Sequence, residues 1–138
     1  MQEQSVIQLS TRGQGLYEFT AEVARFVGDS KIGAGLLTLF CRHTSCSLLI
    51  QENADPDVKT DLQEFFSRIA PEGLEWVSHV SEGPDDMPAH IRAALTQVCV
   101  SIPVTSGQLA LGTWQGIYLF EHRAQAHNRQ IVAYLSGD

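Results

Sequence analysis

Apolar residues in this chain recur with two periods, and the switches between them outline the elements. Ser5-Val-Ile-Gln-Leu-Ser10 reads as a strand and Thr11-Arg-Gly-Gln-Gly15 as a glycine turn. Leu16-Tyr-Glu-Phe19 is then placed to pair back on the first strand as a hairpin. Thr20 is positioned to cap a short helix that carries Val23, Phe26 and Val27 at helical spacing and stops near Gly28-Asp-Ser-Lys31. Gly35–Cys41 and Cys46–Ile50 are dense apolar runs that read as two buried strands, joined by the polar corner Arg42-His-Thr-Ser45.

Asp55-Pro56-Asp57 predicts a helix start, because Asp55 can accept from free N–H groups and proline is tolerated at the first helical position. Leu62, Phe65, Phe66 and Ile69 form that helix's expected buried stripe. Trp76-Val-Ser-His79 reads as a short strand. A further helix is expected to be capped by Asp86 or Met87, with Pro88 in its first turn and Ile91, Ala94, Leu95 and Val98 facing the core. Cys99–Val104, Leu109–Leu111, Ile117–His122 and Ile131–Leu135 then read as strands forming a closing meander, with His127-Asn128 as a hairpin turn.

That order lacks the regular βαβα alternation of a doubly wound parallel sheet and predicts an α+β fold of mostly antiparallel sheets with about three helices. With 138 residues, 43% hydrophobic and 18% charged, the expectation is one folded domain spanning residues 1–138. A formal charge of −7 without any cluster of Lys or Arg argues against a nucleic-acid partner. No apolar run approaches the length of a membrane span, and the first residues lack the pattern of a signal peptide. Three cysteines without C-x-x-C spacing suit reduced thiols, so the expected location is the cytoplasm.

Polar residues that interrupt apolar elements carry the candidate chemistry, since an unsatisfied buried polar group costs on the order of 1–3 kcal/mol. His43-Thr44-Ser45 supplies an imidazole and two hydroxyls at a strand end, and Glu52 is a candidate for fixing the tautomer of His43. His79, Glu82, Asp85, Asp86 and His90 are dense around Gly83, Pro84 and Pro88, and helical spacing sets His90 one turn above Asp86. Two aspartates at a helix start repel a phosphate unless a divalent cation or an arginine intervenes, with Arg42 and Arg123 as candidates. His43, His79 and His90 supply enough imidazoles for a divalent metal, magnesium or zinc, although no H-x-x-x-H or H-E-x-x-H spacing is present.

Together, FCRHTSCSLLIQENADPDV, HVSEGPDDMPAH and GTWQGIYLFEHR, in this order, resemble the YjbQ-like family, whose members are also labelled secondary thiamine-phosphate synthases. The resemblance implies a compact α+β homotrimer with a polar pocket near the subunit boundaries. It also implies a weak activity joining hydroxymethylpyrimidine diphosphate to thiazole phosphate with release of pyrophosphate. Its pattern falls on His43, Thr44, Ser45, Glu52, Asn53, Asp55, His79, Asp85, Asp86, His90, Gly112, Gln115 and Glu121. On this expectation His43, Glu52, Asp86 and His90 are catalytic candidates, and Thr44, Ser45, Asn53, Asp85, Gln115 and Glu121 contact a small-molecule substrate. Dedicated thiamine-phosphate synthases resemble (β/α)₈ barrels, which need about 200 residues or more, so catalytic roles do not transfer from that fold. Two other readings stand beside this one: a metal-dependent hydrolase or transferase acting on a small phosphorylated or carbonyl substrate, and a ligand-binding trimer without catalysis.

Overall fold

A computed structural model describes residues 1–138 as eight strands and three helices. In chain order they are β1 (Gln2–Ser10), β2 (Gly15–Glu18), α1 (Thr20–Ser30), β3 (Ala34–Cys41), β4 (Cys46–Glu52), α2 (Pro56–Ile69), α3 (Asp86–Leu95), β5 (Cys99–Thr105), β6 (Gln108–Leu109), β7 (Gln115–Glu121) and β8 (Asn128–Gly137). Five strands form one sheet in the order β1-β8-β3-β5-β6, three form another in the order β2-β7-β4, and every pairing is antiparallel. The fold is α+β, as the element pattern predicts.

Alternation with period two explains the main core. In β5, Val100, Ile102 and Val104 point inward while Cys99, Ser101, Pro103 and Thr105 point out. Leu37 and Leu39 of β3, Ile131, Ala133 and Leu135 of β8, and Leu48, Ile117 and Leu119 of the small sheet meet these residues between the sheets, with Val23 and Val27 of α1 packed alongside. The opposite face of the small sheet carries a second cluster, Leu16, Tyr118 and Phe120 under Phe66 of α2. β7 is covered on both sides, which explains its continuous apolar run.

Several expected pairings differ from those observed. β2 does not fold back on β1; it joins β7, while β1 pairs with β8 along its whole length. The end of the chain is not a meander either, because β7 lies in the small sheet and β8 inserts between β1 and β3. The residues around His127 therefore cross between sheets instead of turning a hairpin. Long-range pairing wins here because it buries both faces of β7 and the inner face of β8.

The helices also depart in detail. Phe19 occupies the N-cap position of α1, and the hydroxyl of Thr20 instead donates to Glu18 Oε2 and accepts from the Ile117 amide. Asp55 caps α2 through the Asp57 amide, as expected, but only Phe66 of its stripe is buried; Phe65 and Ile69 are exposed. Trp76–His79 is loop. α3 buries Ala89, Arg92 and Ala93, whereas Ala94, Leu95 and Val98 face outward. Neither Asp86 nor Met87 caps it: Asp85 stands at the N-cap without a side-chain bond to the helix.

Candidate metal centre

The two aspartates at the start of α3 are diverted from capping to a cluster that draws on four parts of the chain. Asp86 is only 3% exposed at its side chain and lies in the first turn of α3, where its Oδ2 meets His79 Nε2 at 2.6 Å and His90 Nε2 at 3.1 Å. His90 is one helical turn above it, as the spacing predicts. His79 arrives from the loop before α3. Arg123, just beyond β7, places Nη1 2.9 Å from Asp86 Oδ1 and donates through Nε to Asp85 Oδ2 at 2.8 Å. Asp85 Oδ2 also accepts from the Ala124 amide, and Arg123 Nη2 donates to the Glu82 carbonyl.

Protonation follows from these partners. Burial opposes ionisation of Asp86, but the His79 hydrogen bond and the charges of His90 and Arg123 outweigh it and hold the carboxyl below its ordinary range. Asp85 is lowered in the same way: burial is overcome by Arg123 and the Ala124 amide. The Asp85 hydrogen bond in turn raises Arg123. With both imidazoles neutral, two carboxylates against one guanidinium leave a net negative charge, which favours a cation.

His90 Nδ1 lies 2.8 Å from the Thr44 carbonyl, which only accepts, so this nitrogen carries the hydrogen. In the neutral ring Nε2 is then a bare lone pair aimed at a carboxylate oxygen, an arrangement that calls for a proton or a cation between them. The ligand atoms of His79, Asp86 and His90 all lie within 4.8 Å of one another. Two imidazoles and a carboxylate, with one imidazole oriented by a backbone carbonyl and the carboxylate by an arginine, fit the donor set and outer contacts of open zinc sites. The histidine side chains are 43% and 31% exposed, which leaves the outer side of the cluster accessible to a small molecule.

His43 stands apart from this trio. Its Nε2 accepts from the Gln130 amide at 2.8 Å, so it does not join His79 and His90 as a third imidazole, and Asp86 fills that place. Burial first, then the charge of Arg129, lowers its pKa and keeps it neutral. It does share a cleft with Thr44 and His90. Arg42 reaches Gln130 Oε1 at 3.4 Å and takes no part in the aspartate pair, a role that falls to Arg123 alone.

The remaining candidates lie elsewhere. Ser45 is buried and accepts from Arg129. Glu121 is fully buried, with its oxygens held by Arg129 and Thr11, and has no surface to offer a substrate. Glu52, Asn53 and Gln115 do not face His43: they sit at the far end of the β4–β7 pairing, about 20 Å along the strands from Cys46 and Glu121 at roughly 3.3 Å per residue. There Asn53 donates to Glu18 and the Gln115 side chain accepts from the Gly112 amide. Gly116 lets these side chains close in: a Cβ would lie 2.7 Å from Glu18 Oε2 and 3.0 Å from Asn53 Cβ, so Glu18 would have to move aside. The Arg129–Glu121 pair escaped the sequence reading, yet the inward register of Ile131, Ala133 and Leu135 extends two residues back to Arg129.

Fold and site together define a two-sheet α+β protein with a histidine–aspartate cluster at the rim between the sheets. The chain belongs to the family described as UPF0047 protein YjbQ-like, whose model matches residues 5–138. UPF0047 protein sll1880 of Synechocystis is 48% identical over 99% of this chain and 93% of its own length. UPF0047 protein YjbQ of Escherichia coli O157:H7 is 39% identical over 98% of both. Among solved structures, a yjbq/upf0047 family protein of Clostridium acetobutylicum superposes with a TM-score of 0.84 at 31% identity, covering 94% of this chain and 99% of its own. The hypothetical protein APE1520 of Aeropyrum pernix reaches 0.89 at 25% identity over 99% of each chain.

Proposed function

We propose that His79, Asp86 and His90 hold a divalent metal at which the protein acts as a hydrolase or transferase on a small phosphorylated substrate. The observation that supports this most is the fixed tautomer of His90, whose bare Nε2 points at Asp86 beside His79 Nε2. Imidazole-rich donors favour zinc over magnesium, which prefers oxygen ligands. Such a cation supplies a Lewis acid and lowers the pKa of a bound water toward 7. The protein's own share is orientation: Thr44 sets the ring of His90, Arg123 holds both aspartates, and His43 presents a neutral ring in the adjoining cleft.

Protein purified without chelators is expected to carry about one zinc per chain by elemental analysis and to lose it on His90→Ala or Asp86→Ala. Absence of metal, or metal that survives both substitutions, sinks this reading. The finer activity implied by the family resemblance, thiamine-phosphate formation, fits a centre that binds a diphosphate leaving group. It is expected to fall with Asp86→Ala and with chelation, and turnover indifferent to both separates it from the cluster. We infer a cytoplasmic setting from three cysteines that form no disulfide framework. No helix is long and apolar enough to cross a membrane. We further propose that the chain assembles as a homotrimer, supported by exposed Val6, Leu36 and Phe40 on the outer face of the large sheet.

A further inference from the structure

Between α2 and α3 the chain runs through residues 70–85 without regular structure. A loop of this length inside a small α+β fold is usually a binding or covering segment. Turns shape it: Gly73 and Gly83 take positive φ of 80° and 107°, and backbone bonds run from the Val77 amide to Leu74 and from the Gly83 amide to Val80. Against α3 the loop forms a half-open cavity of about 270 Å³ lined by Leu74, Val77, Val80, Met87, Pro88 and His79, with Val80 at its exposed lip. His79 is therefore common to an apolar cavity and to the polar cluster, with its Nε2 on Asp86.

We propose that this cavity is the subsite for an apolar, single-ring portion of the substrate, whose anionic group lies at the His79–Asp86–His90 cluster. The proposal rests on the metal-centre reading for the position of the anionic group. Size sets the class: a dry apolar cavity of about 150 Å³ accepts benzene, so this one has room for one substituted ring or a branched aliphatic group, with its open side leaving space for the ring's substituents. The lining sets the chemistry, since side chains of Leu74, Val77, Val80 and Met87 offer the ring no charged partner. Leu74, Val77 and Met87 are each half-buried, so part of every one faces the cavity instead of the core.

The test uses the zinc-loaded full chain with two non-hydrolysable probes, methylphosphonate and phenylphosphonate, titrated by calorimetry. Phenylphosphonate is expected to bind at least about tenfold more tightly, because burying a ring removes substantial apolar area from water. It is also expected to shift the Met87 methyl resonance, which methylphosphonate leaves in place. Leu74→Ser and Val77→Ser are expected to abolish the preference while zinc content and methylphosphonate affinity hold. Equal affinities for the two probes in the unmodified protein, with zinc bound, overturn the subsite alone. A chain that takes up no zinc overturns the metal-centre reading and this proposal with it.

Discussion

At the scale of single residues, the buried charges decide how the protein responds to pH. Burial opposes ionisation of Glu121, but Arg129 and Thr11 overcome it and lower its pKa. A carboxyl with a lowered folded pKa contributes stability above its unfolded value of about 4.5, and that contribution is lost as pH falls through the folded value. His122 acts at higher pH. Burial above all, then the charge of Arg92, pushes its pKa down to about 3, so the folded protein refuses a proton that the unfolded chain accepts below about 6.5. The His122 contribution is full above pH 6.5 and erodes between 6.5 and 3, by on the order of 5 kcal/mol in all. Urea denaturation at successive pH values is expected to give a slope approaching one proton between pH 6 and 4, and His122→Gln to remove it; an unchanged slope in that variant shows that His122 is not the group. Glu121→Gln leaves Arg129 buried without its charge partner and is expected to cost about 3–5 kcal/mol by the same measurement.

At the scale of elements, the start of α3 shows local rules yielding to a site. Asp, Asp and Pro at a helix entrance read as a cap and first turn, and the helix does begin there, yet both carboxylates turn to Arg123, His79 and His90. Asp55 at α2 has no such partners and caps its helix. The two entrances look alike in sequence because residue type reports hydrogen-bonding capacity, whereas the choice of partner depends on Arg123, 38 residues away. Gly83 secures the arrangement: its φ of 107° is left-handed, and a Cβ there would lie 3.1 Å from Asp85 Oδ1. Gly83→Ala is expected to cost about 1–3 kcal/mol in urea denaturation and to weaken zinc binding about 10–100-fold in a chelator competition. Asp55→Ala is expected to cost about 1 kcal/mol without changing zinc affinity. Equal zinc affinity in both variants removes Gly83 from the support of the site.

At the scale of the whole molecule, strand existence was legible in the alternation of apolar residues, but strand partners were not. The strands expected from Ser5–Ser10 to Ile131–Leu135 are present except Trp76–His79, which is loop, and Leu109–Leu111, of which only Leu109 lies in the short β6, whereas β1 bonds to β8 across almost the full chain and β2 to β7. Period-two patterns state which side of a strand is apolar and nothing about its neighbour. The site suffers the same loss: His79, Asp86 and His90 are local in sequence and were legible as a group, while Glu52 was paired with His43 from proximity along the chain and lies at the other end of β4. Outward-facing positions hold a further pattern that appears only once the register is known. Val6, Val132, Phe40 and Cys99 fall in one row across β1, β8, β3 and β5, on a face that no helix or second sheet covers. A second copy seated on this row removes Phe40 and Val6 from water and shields the Cys99 thiol. Light scattering of the unmodified chain is expected to give a trimer, with Cys99 reacting slowly with a thiol reagent. Phe40→Lys sets a charge in the centre of the row and is expected to yield the 15.2 kDa monomer with fast Cys99 reaction. A trimer that persists in Phe40→Lys, or an unmodified trimer in which Cys99 already reacts fast, places the subunit contact on another face, and a monomeric unmodified chain refutes the assembly itself.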